Sequence, residues 1–179
     1  NGTGTDYFLH NPHSTQLTVN WESRVASGSI LIPGNTTVSF NAEASPDVPV
    51  DSGLYFSASD VFWGVGLGDT GDASYEWGFS LLPATFLSSE HFLGWAPGFV
   101  GGSGTARYDD VGAFLVSAQD NSTVFVDFDR DGTADQTFTL DRLQSRFVFD
   151  PNDGDMTGAH FWSTGEFTLA YGENADTAS

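Results

Sequence analysis

Short apolar runs, none much longer than a single β-strand, alternate with turn residues along the whole chain. Runs such as "SILI" (29–32) and "STVFVDF" (122–128) are rich in β-branched and aromatic residues, and Gly, Pro, Asn or Asp separates each run from the next. Helical periodicity is nearly absent, and only "LLPATFLSSEHF" (81–92) could be briefly helical. Because many short strands must bury their apolar faces in layers, the pattern predicts an all-β fold of the β-sandwich class.

The same pattern gives approximate strand positions. The stretch 29–40 is predicted to be a hairpin, because two apolar runs flank the turn formers Pro33, Gly34 and Asn35. The predicted strands lie near residues 5–10, 15–21, 28–33, 36–41, 53–58, 61–66, 112–117, 122–128, 134–140, 145–150, 158–162 and 166–171.

Three pairs of segments recur at a nearly constant spacing, which indicates a diverged internal duplication. The pairs are "STQLTVNW" with "STVFVDFD", "TVSF" with "RFVF", and "SGLYFSASDVFWGVG" with "TGAHFWSTGEFTLAYG". We therefore expect two diverged sandwich units in tandem, although they could form one compact domain. The first β unit would span residues 1–72 and the second 112–179. An aromatic, Gly-rich connector, 73–111, would pack on the first.

The charge of the chain is strongly one-sided. Acidic residues number 24 and basic residues five, all of them Arg, so the formal net charge is −19. This charge argues against binding to nucleic acid or attraction to an anionic membrane. Self-repulsion of this size is tolerable in about 1 M salt, where the screening length is about 3 Å, so the composition favours a protein of a halophile. The chain has no apolar run of transmembrane length, which argues against direct membrane insertion.

The stretch "DFDRDGTAD" (127–135) has the spacing of a calcium-binding loop. Asp127, Asp129 and Asp131 alternate, Gly132 follows, and Asp135 occupies the ninth position, while the Thr133 carbonyl would be a further oxygen ligand. Position 12 is Phe138 in place of the bidentate Glu of an EF-hand, and strands rather than helices should flank the loop. The sequence therefore predicts a weak structural Ca²⁺ site, with a plain Asp-Gly hairpin turn as the alternative. "DPNDGD" (150–155) is a second acidic loop with poorer ligand spacing.

Three sequons predict N-glycosylation at Asn1, Asn35 and Asn121. Use of any one of them would make the protein extracellular.

No catalytic residue stands out, and we expect a protein that is not an enzyme. The chain lacks a G-x-S-x-G nucleophile elbow. A Ser–His–Asp triad or a pair of glycosidase carboxylates is recognised by geometry, so both stay open. The Trp residues lie in apolar runs, which favours core packing over a sugar-stacking surface.

Several strings resemble one group of secreted proteins. They are "SDVFWGVGLGD", "YEWGFSLLPATFL", "GWAPG", "DNSTVFVDFDRDGTADQTFTL" and "TGAHFWSTGEFTLAYGEN". They are similar to haloarchaeal and bacterial surface proteins that carry a β domain like the N-terminal region of the IgG-Fc-binding protein. The resemblance implies a modular secreted β-protein for surface architecture or adhesion, and it implies no catalytic residue and no Fc binding.

Together these features predict a structural subunit or repeat of an extracellular filament, surface layer or matrix of a halophile, N-glycosylated and stabilised by calcium. Self-association into a polymer or array is the expected partnership, with residues 1–9 as a possible donor strand. The alternative is a calcium-dependent carbohydrate-binding or adhesion module that contacts surface glycans.

Overall fold

The structure is a computed structural model that describes residues 4–42, 45–69, 77–98 and 108–174. The chain divides into two compact units, Asn1–Leu81 (unit 1) and Leu82–Ser179 (unit 2). The boundary therefore falls inside the segment 73–111 that the sequence suggested as a connector. Its described residues belong to both units, because one short strand joins a sheet of unit 1 and the next joins the sheet of unit 2.

Antiparallel strands make up nearly all the regular structure, which confirms the all-β prediction. They are β1 (Gly4–Asn11), β2 (Leu17–Glu22), β3 (Ser27–Ile32), β4 (Thr36–Asn41), β5 (Tyr55–Ala58), β6 (Trp63–Asp69), β7 (Trp77–Ser80), β8 (Ser88–Phe92), β9 (Val111–Ser117), β10 (Ser122–Asp127), β11 (Gln136–Leu140), β12 (Ser145–Val148) and β13 (His160–Glu173). Each sequence-predicted strand overlaps one of these. The last two predicted strands are a single long strand, β13.

The segment 81–92 contains far less helix than the sequence allowed. A single 3₁₀ turn, Ala84–Phe86, follows Pro83, and the chain then continues as β8. In the described part of the chain, no helix is long and apolar enough to cross a bilayer.

Unit 1 consists of two sheets with strand orders β4-β1-β6-β7 and β3-β2-β5. The alternating inner residues of both sheets meet in one core. Its buried members are Leu9, Leu17, Val19 and Ile32. At one end the core becomes aromatic, where the Tyr7 ring packs against Phe56 and Phe79. Burial there raises the pKa of Tyr7 to about 12.

The position of β1 bears on the predicted donor strand, residues 1–9. Residues 4–9 belong to β1, which pairs with β4 on one side and with β6 on the other, so both of its edges are occupied within the chain. Residues 1–3 lie outside the described residues. Within one copy the described part of the segment is a central strand of unit 1, and its exchange between copies stays a prediction.

Glycines in β6 make room for the rings of β7. A Cβ on Gly66 would lie 2.5 Å from the Phe79 ring, and one on Gly68 would lie 2.9 Å from the Trp77 ring. Close side-chain packing across the strand pair thus explains why glycine occupies both positions of β6.

Unit 2 contains one six-stranded sheet with the order β11-β10-β13-β9-β12, and β8 also pairs with β13. The first half of β13 pairs with β10 and its second half with β9. Residues from both halves of the sheet enclose one core, which includes Leu115, Val126 and the fully buried Phe161 and Phe167.

The two units repeat one pairing scheme. In unit 1, β1 lies between β4 and β6, and β2 lies between β3 and β5. In unit 2, β9 lies between β12 and β13, and β10 lies between β11 and β13. The long strand β13 thus takes the places of both β5 and β6.

Individual residues follow the same correspondence. Leu9 and Leu115 are fully buried at matching positions of β1 and β9. Asn35 and Leu143 both have left-handed backbones, with φ of 54° and 59°. Asn35 immediately precedes β4, and Leu143 lies two positions before β12. This correspondence supports the predicted duplication of a sandwich unit.

Candidate metal centre

The acidic loop connects β10 to β11 in unit 2. β10 ends at Asp127, β11 begins at Gln136, and the N–H of Asp135 donates to the Val126 carbonyl at 2.7 Å to close the hairpin. The backbone turns through left-handed residues at Arg130 and at Gly132, where φ is +89°. Gly is well suited to that position, since other residues rarely adopt such a backbone.

Three carboxylates converge at the base of this loop. Asp127, Asp129 and Asp135 each place one oxygen so that all three lie within 4.8 Å of one another. Asp129 and Asp135 are exposed, whereas Asp127 is only 1% exposed. The loop thus presents one buried and two exposed carboxylates at ligand-like spacing.

Backbone N–H groups hold each carboxylate in place. Asp127 Oδ2 accepts from Gly132 N at 2.9 Å, Asp135 Oδ2 accepts from Phe128 N at 2.8 Å, and Asp129 Oδ1 accepts from Asp131 N at 3.1 Å. The second oxygen of Asp127, Oδ1, is buried and has no hydrogen-bond partner among the described residues. An unpaired buried carboxylate oxygen is costly, and the Asp129 and Asp135 carboxylates that converge with Asp127 carry the same charge.

The Arg130 side chain, which belongs to the same loop, does not offset this repulsion. The Arg130 guanidinium lies against Gly158, where a Cβ would meet it at 2.9 Å. Within the described ranges, Arg130 forms no ion pair with any of the three carboxylates. A bound hard cation would satisfy Asp127 Oδ1 and offset the mutual repulsion, and an all-oxygen set of this kind suits Ca²⁺.

Two of the predicted ligands are arranged differently. Asp131 is not part of the group, and its Oδ1 accepts the Thr133 N–H at 2.7 Å as part of the turn. Thr133 lies in the exposed part of the loop. Phe138, at the position of the missing Glu, packs against the core of unit 2. The residues present thus fit an open, weakly coordinating site with fewer protein ligands than the sequence suggested.

The second acidic loop, residues 150–155, interacts electrostatically with the first through Asp150 and Asp135. Asp150 is buried, and its Oδ1 accepts from Asn152 N at 2.8 Å. Burial raises the pKa of Asp150; the Asn152 N–H opposes that shift, and the charges of Asp153 and Asp135 add to it. The repulsion from Asp135 links the two loops, a relationship that linear ligand spacing could not have indicated.

A row of stacked rings lies beside the group of three carboxylates, since His160 is paired with Asp127 across β10 and β13. The His160 ring stacks on Phe92, with centroids 4.2 Å apart, and on Trp162 at 4.7 Å, and Trp162 stacks on Phe125 at 5.4 Å. The Nε2 atom of His160 is 2.9 Å from a Glu90 carboxylate oxygen. No linear pattern predicted this row, because its members come from β8, β10 and β13.

The Trp residues are less buried than their apolar surroundings predicted. Trp63 is 63% exposed and Trp95 is 79% exposed. The core-packing expectation is wrong for these two, since Trp63 points outward from β6 and Trp95 lies in the turn after β8.

Two of the three predicted glycosylation sites fall in the described residues. Asn35 and Asn121 are both exposed and both have left-handed backbones, with φ of 54° and 55°. Asn adopts this conformation more readily than most residues, so the turn geometry is itself a reason for Asn at both positions. Asn1 lies outside the described residues.

A scan against protein-family models and searches of curated proteins and of solved structures each found no match to this chain. The function therefore has to be argued from the geometry of the sites.

Proposed function

We propose that the protein is a calcium-stabilised structural module of the exterior of a halophile: a non-catalytic, N-glycosylated β-sandwich subunit or repeat of a filament, surface layer or matrix. The buried, unpartnered Oδ1 of Asp127 carries this proposal, because a bound cation gives that atom a counter-charge and links loop stability to the ionic medium.

The chemistry of the loop supports an extracellular location. An open site with three carboxylates and no bidentate Glu belongs with weak Ca²⁺ modules, whose dissociation constants are about 10⁻⁴–10⁻³ M. Such a site fills where free calcium is abundant, as it is outside cells. The charge of −19 and the absence of Lys fit a surface that stays hydrated in brine.

A row of apolar side chains on β6 supports self-association. Trp63, Val65 and Leu67 are 63%, 42% and 43% exposed on the outer face of the four-stranded sheet of unit 1. In a chain of such high negative charge, two copies repel each other least where the surface is uncharged. The row therefore suits contact with a second copy better than contact with an unrelated polar surface.

Calorimetry of the whole chain at constant high salt tests the calcium part of the proposal. We expect 10 mM CaCl₂ to stabilise unit 2 by about 1.4–2.7 kcal/mol relative to EDTA, from mass action at dissociation constants of about 10⁻⁴–10⁻³ M. Equal midpoints in Ca²⁺ and EDTA would contradict it.

Light scattering and negative-stain electron microscopy test self-association. We expect concentration-dependent assemblies for the native chain and their loss in Trp63→Ser. The control is Trp95→Ser, which removes an equally exposed indole from unit 2. Assemblies that survive Trp63→Ser and disappear with Trp95→Ser would exclude the β6 row.

A further inference from the structure

Unit 1 contains a concave site on the outer face of the three-stranded sheet β3-β2-β5. This face is the one that points away from the core of the unit. The cavity has a volume of about 360 Å³. That is the lower part of the range typical of small-molecule sites. Trp21 and Gly28 line it together with six residues that strand alternation places on the outer face, namely Asn20, Glu22, Ser27, Ser29, Tyr55 and Ser57.

The strand register arranges these side chains as a two-by-three grid. Asn20 lies opposite Ser29 on β3 and opposite Ser57 on β5. In the next row, Glu22 lies opposite Ser27 and Tyr55. Directly opposed residues of antiparallel strands share a face, with Cβ atoms about 5 Å apart. The grid therefore presents hydroxyl, amide and carboxylate groups side by side.

One aromatic ring borders this polar grid. Tyr55 is 41% exposed, so its ring can contact the apolar C–H groups of a ligand while its hydroxyl remains available for hydrogen bonding. Between the rows, Trp21 and Gly28 face each other across the strand pair, and a Cβ on Gly28 would lie 2.8 Å from the indole. The indole also packs on Phe40, so the floor of the site is anchored in the core.

The fold does not require this polar surface. The corresponding face of unit 2, on β11-β10-β13, is occupied by the rings of Phe125, Trp162 and His160. The same strand scheme thus supports an aromatic face in one unit and a hydrogen-bonding face in the other. The polar chemistry of this outer face is therefore specific to unit 1.

The charges around the site narrow the ligand class. None of the described residues that line the cavity is basic, so a phosphate, sulfate or uronate would meet Glu22 and the general negative charge of the chain. A divalent cation requires several oxygen ligands of high charge density, and the lining supplies a single carboxylate. Many neutral hydrogen-bonding groups with one exposed ring match a ligand that has hydroxyls on its edge and C–H groups on its face.

We infer that this face of unit 1 binds a neutral carbohydrate of one or two sugar rings. The inference does not depend on the calcium site, whose residues all belong to unit 2. Affinity should be in the millimolar range, as expected for about a dozen non-hydrogen ligand atoms in an open site.

The test is an NMR titration of the ¹⁵N-labelled whole chain with glucose, galactose, mannose, N-acetylglucosamine and maltose, each up to 50 mM. We expect at least one of them to shift the amide signals of residues 20–22, 27–29 and 55–57. Tyr55→Ala should weaken that binding at least tenfold, and Tyr55→Phe should weaken it less than threefold. Tyr108→Ala, which removes an exposed Tyr from unit 2, should leave it unchanged.

Two further arms identify the ligand class. Glu22→Gln keeps a hydrogen-bonding side chain and removes the charge, so saccharide binding should change by less than fivefold. No shift with any of the five saccharides would overturn the inference. So would binding of glucuronate or spermidine at this face in place of the neutral sugars. EDTA should not alter the titration, which separates this result from the outcome of the calcium experiment.

Discussion

Asp127 lies directly opposite His160 in the antiparallel pair of β10 and β13. The buried Asp127 carboxylate therefore lies next to the His160 ring on one face of the sheet. The His160 ring stacks on both Phe92 and Trp162, so it connects the position of Asp127 to the indole of Trp162. The indole fluorescence of Trp162 should thus report on occupancy of the loop.

Asp127→Asn should abolish the calcium-dependent rise in the thermal midpoint of unit 2. The substitution removes the charge of the buried ligand but keeps an acceptor for the Gly132 N–H. In EDTA the variant should be at least as stable as the native chain, because one of three repelling charges is gone. Differential scanning calorimetry with and without 10 mM CaCl₂ measures both effects.

Asp131→Asn is the matched control. Asp131 lies in the same loop but outside the cluster, so the calcium response should persist. Equal loss of the response in both variants would mean that overall loop charge, and not the three-carboxylate geometry, binds the ion.

Leu9→Ala and Leu115→Ala should each destabilise only the unit that contains the substitution. Both side chains are fully buried at matching positions of separate cores, and such truncations cost about 2–5 kcal/mol. Two calorimetric transitions are expected, and each variant should lower a different one. A joint shift of both transitions by either variant would show that the units unfold together.

Gly66→Ala should destabilise unit 1 by about 1–3 kcal/mol, because the added methyl group overlaps the Phe79 ring. In the Phe79→Ala background the same change should cost much less, since the overlapping ring is absent. Gly94→Ala is the control, because nothing lies within 4 Å of its added Cβ. Urea unfolding of the four variants and the native chain gives the coupling energy. A coupling energy near zero would exclude the packing explanation.

Asp150→Asn should stabilise unit 2 at pH 7 and have no effect in acid. Because the pKa of Asp150 is raised in the folded state, the native chain holds this proton more tightly than the unfolded chain. The stability that protonated Asp150 contributes to folding is fully present below the unfolded pKa, near 3.8. This stability is lost as pH rises through the folded pKa. Midpoints measured in EDTA from pH 3 to pH 7 should converge at the acid end. Curves that stay parallel would contradict the assigned pKa shift.

Most strands were predictable because their inner and outer residues alternate. In β2 and β10, for example, buried residues such as Val19 and Val124 alternate with more exposed ones. β7 and β8 were not predicted, each for a different reason. "WGFS" is only four residues long, and "SSEHF" is mostly polar because β8 lies at the edge and pairs with β13 alone.

The register of the predicted duplication differs from the register that the strand pairing indicates. Matching "STQLTVNW" to "STVFVDFD" aligns Leu17 with Phe125, whereas the strand pairing places Leu17 at the position of Ser122. A shift by an odd number of residues exchanges the two faces of a strand. Local identity of Ser-Thr pairs is therefore a poorer guide than the pattern of buried positions.

The candidate metal site was partly predictable. The alternating spacing correctly suggested that Asp127 and Asp129 lie together. The Asp131 side chain instead accepts the Thr133 N–H within the turn, which linear spacing does not encode. The grid on β2, β3 and β5 gave no linear signal at all, since its six residues become neighbours only through strand pairing.

The long strand β13 has a mechanical consequence for a chain that serves in a fibre or sheet under tension. In unit 2 one unbroken backbone is hydrogen-bonded to both β10 and β9, whereas in unit 1 these two tasks fall to β5 and β6, which a bend separates. The two sheets of unit 1 can therefore separate at the bend after β5 without breaking a strand, whereas β13 carries the β9 and β10 pairings of unit 2 on one strand. We expect unit 1 to lengthen before unit 2 when the chain is stretched.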